Sequence, residues 1–287
     1  MSALAHRTLV SAQALGAALQ DPSLRLVDAR AVLSDPAAGR AAWALSHLPG
    51  AVHADLERDL SDHRRSGLGR HPLPEAAAFA QRLGQWGIGP AHTVVAYDAG
   101  DGSMAAARAW WMLKLLGHER VAVLDGGLAA WRAAGLPETG AVDAPPALPP
   151  YPVREFDPAR IVDADAVLAR LGEAPGWLLD ARAGERFRGE VEPIDPVAGH
   201  VPGAINRPFA LNLRDGRFRP AAELRAELEP LLHGRPPSQA VLMCGSGVTA
   251  CHLLLAMEHA GLAGAKVYAG SWSGWISDRT RPLATGP

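Results

Sequence analysis

The sequence predicts an α/β protein made of two duplicated domains, each a mainly parallel sheet flanked by helices. Four short blocks recur in the same order in both halves of the chain, which indicates an internal repeat. Short apolar runs such as RLVDAR and TVVAYD alternate with amphipathic stretches such as PEAAAFAQRLGQW, a pattern typical of buried strands connected by helices. The chain has 287 residues, 48% of them hydrophobic, which suffices for two cores.

The repeat consists of four pairs of blocks, and the members of each pair lie about 150 residues apart. The pairs are 26–30 (LVDAR) with 178–182 (LLDAR), 47–52 (HLPGAV) with 200–205 (HVPGAI), 94–98 (VVAYD) with 240–244 (AVLMC), and 123–131 (VLDGGLAAW) with 267–275 (VYAGSWSGW). Such regular spacing predicts a duplicated domain in which only the loops have changed length.

A proline-rich stretch separates the two copies. Residues 137–152 (PETGAVDAPPALPPYP) show no hydrophobic periodicity, which is typical of an extended linker. We therefore expect a first domain over residues 1–140, a linker over 141–152 and a second domain over 153–287.

The charge pattern and the apolar runs limit the partners and the location of the protein. The formal net charge is -2 and no long run of Lys or Arg occurs, so we expect no nucleic acid and no anionic membrane as a partner. The N-terminus does not resemble a signal peptide, and the longest apolar runs are too short to cross a bilayer. Only two cysteines are present, which excludes a disulfide framework and favours a reducing compartment. These features predict a soluble, cytoplasmic protein.

Cys244 is the candidate nucleophile. Residues 240–257 are typical of a buried strand, a glycine turn and a helix, with Cys244 at the carboxyl end of the strand, where ligands bind in open α/β sheets. The turn Gly245-Ser246-Gly247 can direct backbone N–H groups into the loop, and these donors with the positive end of the helix stabilise an anion. That anion would be a thiolate or the persulfide formed from it. The alternative is a buried structural cysteine, which is our interpretation of Cys251.

The first copy lacks this nucleophile. Asp98 stands at the position that Cys244 occupies in the second copy, and an aspartate cannot carry sulfur. We therefore expect a non-catalytic first domain and a catalytic second domain.

These residues resemble the rhodanese superfamily, in the tandem-domain form shared by thiosulfate and 3-mercaptopyruvate sulfurtransferases. The likeness covers essentially the whole chain, and its strongest motifs are the Cys244 loop, the boxes at 47 and 200, and residues 110–118 (WWMLKLLGH). The resemblance implies a sulfurtransferase that needs neither metal nor cofactor. It would take sulfur from a small-molecule donor onto Cys244 as a persulfide and pass it to cyanide, a thiol or thioredoxin.

The loop after the cysteine separates two donor classes in this family. A basic loop of the type CRKGVT goes with thiosulfate, whereas CG[ST]GVT goes with 3-mercaptopyruvate, and residues 244–249 (CGSGVT) are similar to the second type. The resemblance implies 3-mercaptopyruvate as the donor, with thiosulfate as the alternative. It also implies a catalytic role for Ser246 and donor-binding roles for the other loop residues, namely Gly245, Gly247, Val248 and Thr249.

The resemblance further implies a pair of donor-binding arginines in the second domain. Arg186 matches the first of them. A planar guanidinium suits a carboxylate. The second would follow Glu192-Pro193, but this chain has Ile194 there. Arg182 and Arg188 are the available substitutes, although a salt-bridged surface position is our interpretation of both.

Two further residues come from the first half of the chain. Glu57 and His71 match the acidic residue and the histidine that the family places near the cysteine, with Asp55 close enough to confuse the first assignment. An exposed loop histidine is the alternative for His71. His47 and His200, in the duplicated boxes, are expected to have a shared structural role in positioning a turn.

Two other function classes are alternatives to this interpretation. A cysteine phosphatase needs an arginine that closes the loop after the cysteine, and Ala250 stands there instead. A non-catalytic sulfur-sensing or protein-binding module would not need a nucleophile, and Cys244 argues against it.

Overall fold

A computed structural model describes residues 8–100, 105–152 and 155–287. The described residues divide into two compact units whose segments alternate along the chain. The first unit contains the residues up to Asp62, Leu73–Asp157 and Asp215–Arg217, and the second contains His63–Pro72, Pro158–Arg214 and Phe218–Pro287. The domain limits expected from the sequence stay a prediction. A short segment of the first half, His63–Pro72, groups with the second unit.

The first half of the chain forms a five-stranded sheet with helices between the strands. Its elements are β1 (Leu9–Val10), α1 (Ala12–Ala17), β2 (Leu24–Asp28), α2 (Ala38–Leu45), β3 (Ala51–His53), α3 (Ala76–Gln85), β4 (Thr93–Tyr97), α4 (Ala105–Leu115), β5 (Val121–Leu124) and α5 (Gly127–Ala133). The strand order is β1-β5-β4-β2-β3, and all four pairings are parallel. Every residue of β4 is buried, as expected for a strand covered on both faces.

The second half repeats this architecture. Its elements are β6 (Ile161–Val162), α6 (Ala164–Leu168), β7 (Leu178–Asp180), α7 (Gly184–Phe187), β8 (Ile205–Asn206), β9 (Leu213–Arg214), β10 (Arg217–Phe218), α8 (Ala221–Leu228), β11 (Val241–Met243), α9 (Thr249–His259), β12 (Lys266–Tyr268) and α10 (Ser271–Trp275). The main sheet has the order β6-β12-β11-β7-β8 with parallel pairings, and β9 and β10 form a separate two-stranded sheet. The predicted fold class, two duplicated α/β domains with parallel sheets, is confirmed.

The core of the second unit surrounds the central strand β11. Val241 and Met243 pack in one apolar cluster with three fully buried tryptophans, Trp177, Trp272 and Trp275. β11 has β12 on one side and β7 on the other, so its carboxyl end opens at the middle of the sheet edge. No helix within the described ranges is long and apolar enough to span a membrane.

The first two duplicated blocks have structural roles in both units. Arg30 pairs with Asp28 at 2.7 Å, and in the second unit Arg182 pairs with Asp180 at the same distance, with all four side chains buried. The box histidines hydrogen-bond backbone carbonyl groups through Nδ1, His47 at 2.7 Å and His200 at 2.8 Å. The predicted shared role of these two histidines in local structure is confirmed.

Candidate active site

The Cys244 loop connects β11 to α9. Cys244 directly follows the strand, and Thr249 is the first residue of the helix, as the sequence predicts. The N–H of Gly247 donates a hydrogen bond to Sγ of Cys244 at 3.1 Å. The Cys244 residue is only 1% exposed, so a buried sulfur faces a backbone donor and lies beside the start of a helix.

Gly247 can donate this bond because its backbone is in the left-handed region. Its φ is 79°, and a methyl group at its Cα would overlap the carbonyl oxygen of Ala269. Both facts require glycine at this position. Cys251 is fully buried in α9, and its thiol donates to the carbonyl oxygen of Gly247 at 3.2 Å, so the interpretation of Cys251 as a core residue is confirmed.

Ser271 is a site residue that the sequence interpretation did not include. Its Oγ accepts the N–H of Cys244 at 3.0 Å, donates to the carbonyl oxygen of Tyr268 at 2.9 Å and lies 4.0 Å from Sγ of Cys244. Ser271 is fully buried and has a φ of 51°, which costs energy for any residue with a Cβ. Strain of this kind is frequent at functional sites.

The duplicated blocks contain a signal for Ser271. In the alignment of 123–131 with 267–275, Ser271 stands opposite Gly127, whose φ is 52°. The neighbouring backbone bonds also correspond, since Leu128 donates to the carbonyl oxygen of Asp98 and Trp272 to that of Cys244, both at 2.9 Å. A serine in a backbone position that the first copy fills with glycine indicates that its hydroxyl is needed.

His71 and Ser246 lie together beside the loop. Nδ1 of His71 is 2.8 Å from Oγ of Ser246, and both side chains are buried. His71 is 2% exposed, so the alternative of an exposed loop histidine is wrong. His71 lies in the segment His63–Pro72, which groups with the second unit.

Arg186 is surrounded by carboxylates at the edge of the same loop. Its Nη2 donates to Oε1 of Glu192 at 2.7 Å and to Oδ2 of Asp195 at 3.2 Å. A methyl group at the Cα of Gly245 would lie 3.5 Å from both Nη atoms of Arg186. The structure therefore places the predicted arginine against the Cys244 loop.

Glu192 orients Arg186. Burial raises the pKa of the Glu192 carboxyl, but hydrogen bonds from Arg186 and from the backbone amides of Asp195 and Ile194 outweigh burial and hold that pKa below its ordinary value. The ionised carboxylate accepts hydrogen bonds from two nitrogens of Arg186, Nε at 3.1 Å and Nη2 at 2.7 Å. This paired contact fixes the plane of the guanidinium.

The position of the missing second arginine is not filled by either substitute. Ile194 is 47% exposed and has no charge. Arg188 pairs with Glu190 at 2.7 Å at the surface, which confirms its interpretation as a salt-bridged surface residue. Arg182 is buried against Trp272, with its guanidinium carbon 4.7 Å from the ring centroid, so a surface position is wrong for it.

Glu57 lies in the first unit, where its backbone N–H donates to Oδ1 of Asp55 at 2.8 Å. Its expected place near the cysteine stays a prediction. The second unit contains the other predicted site residues: His71, Arg186, Cys244, Gly245, Ser246, Gly247, Val248 and Thr249.

Within the described ranges, no group of three or more His, Cys, Asp or Glu side chains is arranged to hold a metal ion. The chemistry that this arrangement supports is nucleophilic attack by the Cys244 sulfur, which a backbone amide stabilises, while Ser271 holds the backbone N–H of Cys244.

Comparison with known proteins places these features in a family. A model described as a rhodanese-like domain matches the chain twice, over residues 11–134 and 163–278. A probable 3-mercaptopyruvate sulfurtransferase of Pseudomonas aeruginosa is 50% identical over 282 residues, which cover 97% of this chain and 98% of that protein. A putative thiosulfate sulfurtransferase of Mycobacterium tuberculosis is 43% identical, with 98% of both chains covered.

Solved structures give the same relationship. SseA from Escherichia coli, described as a 3-mercaptopyruvate sulfotransferase, is similar to this chain with a TM-score of 0.77 and 32% identity. The match covers 93% of this chain and all of that one. The similarity thus extends over both repeats.

Proposed function

This chain belongs to the rhodanese-like family and is a sulfurtransferase, and we propose that it moves sulfur from 3-mercaptopyruvate through a persulfide on Cys244 to a thiophilic acceptor. The observation that carries the proposal is the hydrogen bond from the Gly247 N–H to Sγ of Cys244, at 3.1 Å. A backbone donor fixed in this position stabilises negative charge on the sulfur that attacks the donor.

In the first step, the Cys244 thiolate attacks the thiol sulfur of 3-mercaptopyruvate. A sulfur–sulfur bond forms while the carbon–sulfur bond of the donor breaks, and its electron pair stays on the carbon as the enolate of pyruvate. The proton of the donor thiol ends on that carbon, so the products are pyruvate and an ionised persulfide on Cys244. The Gly247 N–H, 3.1 Å from Sγ, stabilises the thiolate that attacks.

Ser246 and His71 act on the donor in this proposal. His71, with its proton on Nδ1, donates to Oγ of Ser246 at 2.8 Å, and the Ser246 hydroxyl donates to the keto oxygen as enolate charge develops there. Arg186 binds the donor carboxylate through the N–H groups of the guanidinium nitrogens that border Gly245. Gly245, Gly247, Val248 and Thr249 form the wall of the donor site, and Glu57 is a further donor-binding residue in this proposal.

Three features support 3-mercaptopyruvate as the donor. Residues 244–249 (CGSGVT) carry no cation, whereas a dianion such as thiosulfate gains from a basic loop. The Ser246 hydroxyl suits a keto group. The Pseudomonas aeruginosa relative, 50% identical to this chain, is also named for this donor. The Mycobacterium tuberculosis relative makes thiosulfate the alternative.

In the second step, a thiophilic acceptor removes the outer sulfur and restores the Cys244 thiolate. Cyanide would leave as thiocyanate, and a thiol would leave as its persulfide, so charge and atoms balance in both cases. Thioredoxin or a small thiol is the proposed acceptor in the cytoplasm, where the two free thiols of this chain remain reduced.

Mass spectrometry of the intact protein after donor treatment tests the mechanism. We expect 3-mercaptopyruvate to add the mass of one sulfur atom to the wild type and to Cys251→Ser, and cyanide to remove it. Cys244→Ser is expected to gain no mass and to produce no pyruvate. Full turnover in Cys244→Ser would reject the persulfide, and a kcat/KM for thiosulfate more than about tenfold above that for 3-mercaptopyruvate would reject the proposed donor.

A further inference from the structure

A second guanidinium borders the Cys244 loop, on Arg70. A methyl group at the Cα of Gly245 would lie 3.3 Å from Nη2 of Arg70 and 3.5 Å from both Nη atoms of Arg186. The two arginines thus approach the same point of the loop, and a side chain at position 245 would crowd both of them. The space that a basic residue would occupy in a CRKGVT loop is here bordered by two cations from elsewhere in the chain.

The backbone around Arg70 is fixed to the second unit. The N–H of Arg70 donates to Oγ of Ser273 at 2.9 Å, and Ser277 donates from its hydroxyl to the carbonyl oxygen of Gly67 at 3.2 Å. Gly69, with a φ of 96°, lies so close to the backbone of Gly270 that a Cβ would not fit. These contacts hold Arg70 at a defined place beside the loop.

The side chain of Arg70 is oriented but not saturated. Its Nη1 donates to Oδ1 of Asp195 at 2.6 Å, and the other oxygen of Asp195 accepts from Arg186 at 3.2 Å. The buried Nε of Arg70 has no hydrogen-bond partner among the residues that the structure describes. An unsatisfied buried donor is unfavourable, so a ligand that pairs with it gains affinity.

We propose that Arg70 is the second carboxylate-binding cation of the donor site, in place of the arginine that is missing at position 194. Arg70 and Arg186 together bind the carboxylate of an α-keto acid donor beside Gly245, and Asp195 is the positioning residue that holds both guanidinium groups. This inference rests on the proposed function, because it assigns the carboxylate of the proposed donor to named side chains.

The charges around this site favour a donor with one negative charge. Three arginines are balanced by three carboxylates in one connected set of ion pairs, made of Arg70, Arg182, Arg186, Asp180, Glu192 and Asp195. With no excess positive charge, binding depends on the directed N–H groups of the two guanidinium forks, which match a planar carboxylate. A dianion gains less at such a site than at a basic loop.

A comparison of two donors tests the role of Arg70. Mercaptoacetone has the thiol and keto groups of 3-mercaptopyruvate, with a methyl group in place of the carboxylate. We expect Arg70→Gln to lower kcat/KM for 3-mercaptopyruvate about 10- to 100-fold, mainly through KM, and to change kcat/KM for mercaptoacetone less than about threefold. The inhibition constant of pyruvate, which keeps the carboxylate, should rise by a similar factor.

Matched variants separate the outcomes. Arg188→Gln removes a surface arginine of the same unit and should leave both donors unaffected. If Arg70→Gln does not fold, Arg70→Lys keeps the charge, loses the planar fork and should still weaken 3-mercaptopyruvate selectively. An equal loss for both donors, or no loss for 3-mercaptopyruvate, would reject the role of Arg70. Wild-type turnover of thiosulfate without turnover of 3-mercaptopyruvate would reject the proposed donor and, with it, this inference.

Discussion

Nδ1 of His71 lies 2.8 Å from Oγ of Ser246, although 175 residues separate them in the sequence. This contact connects the histidine that precedes Pro72 to the hydroxyl in the middle of the Cys244 loop. Both side chains are buried, so neither exchanges this bond freely for one with water. The contact therefore orients the Ser246 hydroxyl. The proposed polarisation of the keto oxygen requires such an orientation.

A double-mutant cycle measures this coupling. We expect His71→Asn and Ser246→Ala each to lower kcat/KM for 3-mercaptopyruvate by about 10- to 100-fold, because each removes one partner of a buried hydrogen bond. The double variant should lose far less than the product of the two effects, with a coupling of about 1–2 kcal/mol. Additive losses would mean that the two residues act independently.

Gly247→Ala tests the backbone donor to the sulfur. Alanine at a φ of 79° would overlap the carbonyl oxygen of Ala269, so the loop must shift and the N–H must leave Sγ of Cys244. We expect a loss of about 100-fold in kcat, as for the removal of a fixed donor from an anion site. Gly203→Ala is the control. Gly203 has a φ of 80°, and the atom nearest to an added Cβ is the carbonyl oxygen of Leu171, 4.0 Å away. This variant should lose about 1 kcal/mol of stability and no activity.

Two substitutions of Ser271 separate its hydroxyl from its backbone strain. Ser271→Gly and Ser271→Ala both remove the oxygen that accepts the N–H of Cys244 at 3.0 Å, so Cys244 is held less firmly and kcat/KM should fall about tenfold in both. Ser271→Gly should be more stable than Ser271→Ala by about 1 kcal/mol, because only glycine adopts a φ of 51° without cost. Stability is measured by chemical denaturation. Wild-type activity in either variant would show that the hydroxyl does not position Cys244 for the reaction.

The buried His118 should make stability depend on pH. Burial lowers the pKa of His118 to about 4 from an ordinary 6.5, although a backbone hydrogen bond with Arg120 opposes the shift. Between these values the unfolded chain binds a proton that the native state does not, so this contribution is complete above pH 6.5 and is lost as the pH falls toward 4.

We expect the free energy of unfolding, measured in urea at pH 7.5 and 4.5, to fall by up to about 3 kcal/mol more in the wild type than in His118→Gln. An equal fall in the free energy of unfolding between these pH values in the wild type and in His118→Gln would show that His118 titrates alike in the folded and unfolded chain.

The sequence predicted the parts of this protein that depend on local pattern. Family membership, the duplicated α/β fold and sulfurtransferase activity are confirmed by the family match, the solved structures and the named relatives. Cys244 could be placed at a strand end because apolar runs and glycine turns are properties of neighbouring residues. Gly247 followed from the same motif.

The residues that the sequence did not indicate belong to contacts between distant segments. Arg70 precedes His71 in a loop without periodicity, and only the folded chain shows that it borders Gly245. Asp195 resembles any surface acid in the sequence, yet it links two arginines. Arg182 was misinterpreted as a surface residue because its burial against Trp272 depends on tertiary packing. Ser271 was the exception, since its alignment with Gly127 already contained the signal.

The grouping of His63–Pro72 with the second unit affects how this protein can be divided. A gene fragment that encodes only the residues after the proline-rich linker would contain Cys244 but neither His71 nor Arg70. Although the sequence is a tandem duplication, the two copies are not interchangeable modules. Expression of the second copy alone would yield Cys244 without two residues of the proposed donor site. Recombination between family members should preserve activity only when this ten-residue loop and the Cys244 repeat come from the same parent.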